Sequence, residues 1–189
     1  MNIGKFIKRL KCILIEPQRE FIRISHEQKK PVKVFVEYVL PFLILYAIAA
    51  YLGKIVFSPA TFNVGTGIIL KSILLMLMVI GIGIYLIPLL INELLPLFNT
   101  KKDNGKTFTL IAYTLTPVYI ALILSGLIPN LSAVFYFIGF YSIILFWIAV
   151  SAIINIKMER RQIFVFVNII LIALVFFIIR IVLGAIFSL

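Results

Sequence analysis

The stretch TFTLIAYTLTPVYIALILSGLIPN, residues 107–130, decides the fold of this chain. It is long and apolar enough to cross the hydrocarbon core of a bilayer, which takes about 20 residues of α-helix. The apolar run is nevertheless interrupted by four residues, Tyr113, Thr114, Thr116 and Pro117. Polar side chains at that depth are tolerated where neighbouring helices satisfy them. We therefore expect this helix to lie among other helices rather than against lipid.

Pro117 is expected to bend this helix. A proline removes one backbone donor and leaves the carbonyl one turn earlier, near Tyr113, without its usual partner. Such positions are a common cause of helix kinks, and the hydroxyls of Thr114 and Thr116 can bond freed backbone groups. The sequence thus predicts a kink near Tyr113 and a polar site around it.

The composition of the whole chain is that of a membrane protein. Of its 189 residues, 63% are hydrophobic and only 13% are charged, and the mean hydropathy is +1.17. A soluble domain of this length needs more charged residues to cover its surface. The length allows one domain, and a bundle of spans uses nearly all of it.

Four further apolar runs have the length of a membrane span. Together with the opening stretch they predict an all-α bundle of five transmembrane helices. The expected spans cover about residues 34–57, 68–91, 107–128, 131–154 and 163–187. We accordingly divide the chain into a cytoplasmic segment, residues 1–33, and a five-span domain, residues 34–189.

The distribution of positive charge predicts the orientation. Residues 1–33 hold nine of the 18 Lys and Arg, and the connections 92–106 and 155–162 hold three each. The two connections on the other side hold none, with Lys54, Lys71 and Arg180 at their edges. The positive-inside rule then places the N-terminus in the cytoplasm and, after five crossings, the C-terminus outside. Because the cations do not form a groove-sized surface, the net charge of +11 does not indicate nucleic-acid binding.

The N-terminal segment contains a helical pattern of its own. Its apolar residues recur with the spacing of one helix face, and they are Ile3, Phe6, Ile7, Leu10, Ile13 and Leu14. The cations of the other faces are Lys5, Lys8, Arg9 and Lys11. This pattern is typical of a basic amphipathic helix that contacts an anionic membrane surface. A helix packed on the protein's own cytoplasmic face fits it equally well.

Two of the seven carboxylates approach membrane depth. Glu37 lies one or two turns inside span one, where it can reach headgroups or pair with Lys33, and Glu93 lies at the end of span two. If these spans pack together, the two carboxylates meet at the cytoplasmic side and could bind a cation or relay a proton. We therefore add both to the candidate polar site of Tyr113, Thr114, Thr116 and Pro117.

The sequence lacks the residue sets of the common catalytic and cofactor sites. Cys12 and His26 are the sole residues of their types, which excludes a disulfide framework and a metal site built from soft ligands. His26 lies in a charged turn, away from any Ser-His-Asp arrangement. Gly65 and Gly67 lack the GK[ST] of a phosphate-binding loop. We expect no catalytic residue, cofactor or metal, and no enzymatic activity.

The order of these features resembles the YIP family, five-span membrane proteins first known as partners of Rab-type GTPases. The resemblance covers nearly the whole chain and rests on ILIEPQREFIRI, residues 13–24, and on AYTLTP, residues 112–117. Eukaryotic members have a long cytoplasmic region with an acidic Tyr-Gly-Pro motif before the first span. About 33 residues precede it here, without that motif, so the chain is similar to the short bacterial members.

Two functions follow as expectations. The resemblance implies a membrane scaffold or interaction protein, with membrane lipids, another membrane or cytoplasmic protein, or further copies of itself as partners. The alternative is a small transporter or lipid-handling protein whose polar site lies at the Pro117 kink. A cavity of roughly a few hundred Å³ at Tyr113 and Thr116 would favour the alternative, whereas mutual capping of these residues would weaken it. The Ile- and Lys-rich composition fits an AT-rich bacterial genome, and we expect the chain in a bacterial cytoplasmic membrane.

Overall fold

The computed structural model describes residues 3–57 and 66–187, and all of its regular elements in these ranges are helical. Most of the expected outer connection, residues 58–67, lies outside the described residues. Two helices precede the bundle: α1, Ile3–Ile15, and α2, Pro17–Glu27. Pro17 begins α2, because the first turn of a helix does not need its missing N–H.

Six further helices form the bundle. They are α3, Pro31–Phe57; α4, Thr66–Leu94; α5, Asn104–Thr114; α6, Thr116–Leu127; α7, Pro129–Ile154; and α8, Met158–Phe187. A 3₁₀ turn, Leu95–Phe98, follows α4. Two turns are π-helical: Phe35–Val39 near the start of α3 and Val150–Ile154 at the end of α7.

Four of these helices, α3, α4, α7 and α8, are long and apolar enough to cross a membrane. The helices α5 and α6 are bent by 42° at Leu115 and make a fifth crossing if the pair forms one span. The kink expected near Tyr113 is therefore present. The division into a cytoplasmic segment and a five-span domain stays a prediction.

The bent pair α5–α6 lies at the centre of the bundle. Every residue from 107 to 117 is buried, because α5 packs against α4 and α7 while α6 packs against α3 and α7. This confirms that the opening stretch lies among other helices. At the closest crossing, a Cβ on Gly53 of α3 would come within 2.0 Å of the Gly126 carbonyl oxygen of α6, so this position needs glycine.

The last helix, α8, lies at the periphery. In its most apolar window only 17% of the residues are buried, compared with 39% in α3, α4 and α7. It packs mainly on α4, where Gly83 leaves room for the ring of Phe176. The many apolar side chains that α8 leaves exposed suit contact with lipid.

The helices α1 and α2 form a hairpin that packs on the bundle. In α1, Ile13 is fully buried and Phe6 and Leu10 contact the core, whereas Ile7 is 56% exposed. The apolar stripe of α1 is thus divided between the protein and its surroundings. In α2, Phe21 and Ile24 are buried, and this helix packs on the second half of α7. We call the end of the bundle that carries this hairpin and the connections 95–103 and 155–157 the basic end.

Candidate functional site

A charged cavity of about 690 Å³ lies between the hairpin, the start of α3 and the end of α5. Carboxylates and cations of the hairpin and of the start of α3 line it and largely pair with one another, and α5 contributes Tyr113. We call it the paired cavity. Its lining residues are Lys5, Phe6, Lys8, Arg9, Cys12, Glu20, Arg23, Glu27, Lys29, Lys33, Glu37, Tyr38 and Tyr113.

Arg9 is the centre of this cavity. Its Nη1 atom donates to Glu27 Oε2 at 2.9 Å and to the Tyr113 hydroxyl at 3.0 Å, and its Nη2 atom donates to the other oxygen of Glu27. Its Nε atom lies 3.3 Å from Glu20 Oε1. One side chain of α1 therefore bonds two carboxylates of α2 and a hydroxyl of α5. Glu20 is only 5% exposed, and this guanidinium is closer to it than Arg23, whose Nη1 atom lies 4.0 Å from Glu20 Oε2.

A second set of ion pairs connects α2 to the start of α3. Lys29, in the connection after α2, donates to Glu37 Oε2 at 2.9 Å and lies 3.4 Å from Glu27 Oε2. Lys33 lies 3.9 Å from the other oxygen of Glu37. Glu37 thus pairs with Lys33, as the sequence suggested, but more closely with Lys29.

The electrostatics of the groups outside the bundle follow from these pairs. Burial alone would raise the pKa of Glu27, but the hydrogen bonds and charges of Arg9 and Lys29 outweigh it and lower this pKa. Burial alone would lower the pKa of Lys29, but the hydrogen bond to Glu37 together with the charges around the ammonium group outweighs it and raises this pKa. Burial alone would lower the pKa of Arg9 as well, but the hydrogen bonds and charges of Glu27 and Tyr113 outweigh it and raise this pKa above its ordinary value. Every one of these groups is held in its charged form.

The cavity is closed towards the bundle by two tyrosines and a threonine. The Tyr38 hydroxyl lies 2.7 Å from Thr116 Oγ1, which itself donates to the Tyr113 carbonyl oxygen at 2.6 Å. Tyr38 is therefore the donor in the first of these bonds. The Tyr38 and Tyr113 rings are 4.4 Å apart, a contact distance for aromatic side chains.

The bend at Pro117 places these groups. Proline leaves the Tyr113 carbonyl without a backbone donor, and the Thr116 hydroxyl takes that place. Thr114 is also buried, but it donates to the Leu110 carbonyl at 2.8 Å, within its own helix. The break at Leu115 separates the polar α5 from the apolar α6.

The structure brings together some of the residues singled out in the sequence and separates others. Tyr113 and Glu37 line the paired cavity, Thr116 belongs to its floor, and Thr114 and Pro117 lie behind it. Glu93 does not join Glu37: it is exposed and bonds to Lys102, beyond α4. The two carboxylates therefore have separate cationic partners. In the described ranges, no group of three or more His, Cys, Asp or Glu residues could hold a metal ion.

The four cations of α1 do not share one environment in the structure. Lys5, Lys8 and Lys11 are exposed, as a surface contact requires. Arg9 was expected on the same surface, but its side chain is only 15% exposed and turns inward to Glu20, Glu27 and Tyr113. The surface role expected for Arg9 is therefore wrong. A guanidinium that pairs with Glu20 and Glu27 inside the cavity is not available to the membrane surface.

Sequence reasoning missed Glu20 and Glu27. They are seven residues apart in α2, a spacing that puts both side chains on one helix face. Two carboxylates on one face, within a segment otherwise rich in cations, indicate a surface that meets a cation of the same segment. That signal was present in the sequence, but it does not say which of the nine cations is the partner.

Comparison with known proteins gives one match. No curated protein and no solved structure matches the chain. The model of the Yip1 domain matches residues 11–180, a range that includes α2 to α7, most of α8 and the Tyr113–Pro117 segment. With its apolar helices, the chain is a membrane protein and belongs to the Yip1 domain family.

Proposed function

We propose that this chain is a non-enzymatic, five-span membrane scaffold that binds a partner protein through the α1–α2 hairpin. In this proposal the α5–α6 pair is one bent span, and the basic end faces the cytoplasm of a bacterial cell. The positive-inside distribution of Lys and Arg supports that orientation. A homo-oligomer is compatible with the same surface.

The observation that carries the proposal is the attachment of the hairpin to the bundle centre. Arg9 bonds Glu27 and Tyr113, which are 18 and 104 positions away along the chain. A hairpin fixed in this way presents a preformed surface, and a preformed surface loses less conformational entropy on binding than a flexible one. A freely tethered basic segment would have no need of these internal bonds.

The outer surface of the hairpin suits an interaction at the membrane interface. It combines exposed cations with exposed apolar side chains. Such a surface is attracted to anionic lipid and can insert its apolar side chains at the headgroup level. The cations are Lys5, Lys8, Lys11, Arg19 and Arg23, and the apolar side chains include Ile7, Ile15 and Ile22.

The paired cavity at Tyr113, about 690 Å³, has the size expected for the transport alternative, but the bond of Thr116 to the Tyr113 carbonyl and the floor of the cavity argue against a path through the bundle. The Tyr38–Thr116 bond closes the cavity, and the next buried side chains of α3 are Val39, Pro41, Phe42 and Leu43. On α6, Ala121 and Leu122 continue this apolar packing. A polar solute would have to cross this layer without hydrogen-bond partners.

The test is recovery of a partner from native membranes. The full chain is purified in nanodiscs that retain native lipid, and bound proteins are quantified. The triple variant Lys5→Glu, Lys8→Glu and Lys11→Glu should lose a stoichiometric partner. The control Lys30→Glu, Lys101→Glu and Lys157→Glu makes the same change of charge at other exposed positions of the basic end and should retain it. Equal loss in both, or no stoichiometric partner at all, rejects the proposal.

One observation favours lipid handling as a second candidate. An apolar groove of about 500 Å³ lies beside the bend and is lined by α4, α5–α6, α7 and α8. Tyr119 lines it, and its buried hydroxyl has no hydrogen-bond partner in the described part of the chain. The substitution Leu122→Trp should fill the groove and reduce the lipid that co-purifies. Unchanged lipid content in a folded L122W chain removes this candidate.

A further inference from the structure

A second cavity, of about 730 Å³, lies on the other side of α2. Its walls are α2, the first turn of α5, the last turns of α7 and the first turn of α8. Its charged lining residues are Lys106 and Arg161, accompanied by His26, and no Asp or Glu lines it. We call it the cationic cavity. Its volume is within the usual range for small-molecule sites, about 300–1,000 Å³.

Arg161 has no carboxylate partner among the described residues, 3–57 and 66–187. Its guanidinium carbon lies 4.6 Å from the centre of the Trp147 ring, and its Nη2 atom lies 2.9 Å from Met158 Sδ. Its Nε atom is buried and has no hydrogen-bond partner in the described residues. An aromatic ring holds a guanidinium in place but does not neutralise its charge. The positive charge of Arg161 is therefore uncompensated inside the cavity.

Lys106 is only weakly engaged. Its Nζ atom lies 3.9 Å from Asp103 Oδ2, and both side chains are largely exposed, at 48% and 44%. An exposed pair at this distance contributes little. The other oxygen of Asp103 already accepts the Lys106 backbone N–H at 3.0 Å, which caps α5. The ammonium group can therefore turn to an anion without breaking the cap.

Some of the neutral lining residues already donate a hydrogen bond within the protein, and others have a donor that is free to bind a ligand. The hydroxyls of Ser25 and Ser151 donate to carbonyls of their own helices, Ile22 and Ile148, at 2.7 and 2.8 Å. The amides of Gln18, Gln28 and Asn155 have no side-chain bond in the part of the chain that the structure describes. These amides can donate to an anion beside the two cations.

We propose that the cationic cavity binds a phosphate group, with Arg161 and Lys106 as its cationic ligands. Guanidinium groups bind phosphate through paired, charge-assisted hydrogen bonds, and lysine adds a point charge. The phosphate can belong to the headgroup of an anionic phospholipid or to a soluble phosphate. The site shares Ile22 with the hairpin surface of the proposed function, but its cationic ligands lie outside the hairpin, so the inference does not depend on that function.

The chain carries its own reporter of this site. Trp147 is the single tryptophan of the sequence, and it both lines the cavity and contacts Arg161. The full chain is placed in phosphatidylcholine nanodiscs, and the Trp147 emission is recorded as the fraction of phosphatidylglycerol increases. A parallel titration adds glycerol phosphate or inorganic phosphate to the neutral nanodiscs. A saturable change with the lipid alone identifies a headgroup site, and one with the soluble anions identifies a soluble ligand.

Matched variants separate this site from general attraction to a charged bilayer. Arg161→Gln and Lys106→Gln should each weaken the binding about tenfold, because each removes charge-assisted hydrogen bonds. Arg160→Gln is the control: it removes the same charge from the neighbouring position, which is exposed and does not line the cavity. Its binding curve should equal that of the unchanged chain. Native mass spectrometry gives a readout of bound anion that does not depend on Trp147.

Two results overturn the proposal. One is the absence of a saturable change with any of the three probes. The other is an equal weakening by Arg160→Gln and by the two lining variants, which would mean that net charge alone attracts the anion. If Arg161→Gln fails to fold, Lys106→Gln decides, because Lys106 is exposed and its backbone cap stays in place.

Discussion

The two cavities on either side of α2 have nearly the same volume, about 690 and 730 Å³, but opposite charge arrangements. On one face of α2, Glu20 and Glu27 meet Arg9, and Lys29 joins Glu27 to Glu37. On the other face, Gln18, Ile22 and Ser25 leave Arg161 and Lys106 without a carboxylate in the lining. A cavity whose charges pair internally holds a structure together, whereas one with unpaired cations is open to an anion.

The most demanding test of this comparison replaces one arginine of each cavity with methionine, in two separate variants. Arg9→Met should lower the free energy of unfolding by about 3 kcal/mol, because it leaves two carboxylates without their main partner in a partly buried site. Arg161→Met should cost about 1 kcal/mol, since it loses only the contact with the Trp147 ring. Thermal unfolding of both variants in the same detergent measures the difference.

Lys11→Met controls for the loss of one positive charge from α1. Lys11 is exposed, does not line the paired cavity and should change the stability by no more than about 0.5 kcal/mol. Equal destabilisation by the Arg9 and Arg161 substitutions would mean that the paired cavity does not hold the hairpin.

Acid should weaken the paired cavity. The folded pKa of Glu27 is below its ordinary value of 4.5, so its pairing contributes fully above pH 4.5 and is lost as the pH falls through the folded pKa. The melting temperature of the unchanged chain should therefore fall in that window.

Glu27→Gln provides the comparison for the acid experiment. Its melting temperature should be lower at neutral pH and should depend less on pH below 4.5, because the titrating group is absent. Arg161→Gln should retain the acid slope of the unchanged chain. An identical slope in the Glu27 variant would assign the acid sensitivity to another carboxylate.

The floor of the paired cavity offers a smaller test. Tyr38→Phe removes the hydroxyl that donates to Thr116 and should cost about 1 kcal/mol. Thr116→Val should cost more, because it also removes the hydroxyl that donates to the Tyr113 carbonyl oxygen and leaves that oxygen without a hydrogen bond. Tyr46→Phe is a suitable control, as Tyr46 has no side-chain hydrogen bond within the described ranges. Equal stability of all three variants would show that the floor contributes nothing.

The smallest effect on stability, and the most local, is expected for Pro117→Ala. It restores a backbone N–H and should reduce the 42° bend between α5 and α6. A straighter pair would move the Tyr113 hydroxyl away from Arg9. Pro88→Ala, in the interior of α4, controls for the removal of a proline elsewhere in the bundle. A structure of the variant with the bend unchanged would falsify the role given to Pro117.

The sequence predicted the features that depend on depth along the chain. Apolar runs and their interruptions predicted the helical class, the central position of residues 107–117 and the bend at Pro117. Hydropathy does not report the direction in which a side chain points around its helix. For that reason Arg9 was grouped with Lys8 and Lys11, and Glu93 with Glu37.

The cationic cavity could not be predicted from the sequence, for a related reason. Lys106, Trp147 and Arg161 belong to three separate segments that meet where α2, α5 and α8 border the end of α7. None of them has an unusual local pattern in the sequence.

The two π turns make the shape of both cavities depend on the number of residues in the helices that line them. Glu37 and Tyr38 of the paired cavity lie in the first π turn, and Ser151 and Ile153 of the cationic cavity lie in the second. A π turn accommodates one residue more than the α-helix around it. Deleting that residue restores the α-helix: the flanking turns stay close to their present register, while the side chains of the turn itself change direction. Among relatives of this chain, a single-residue gap at either position would therefore mark a changed wall of the corresponding cavity, even where the flanking residues are retained.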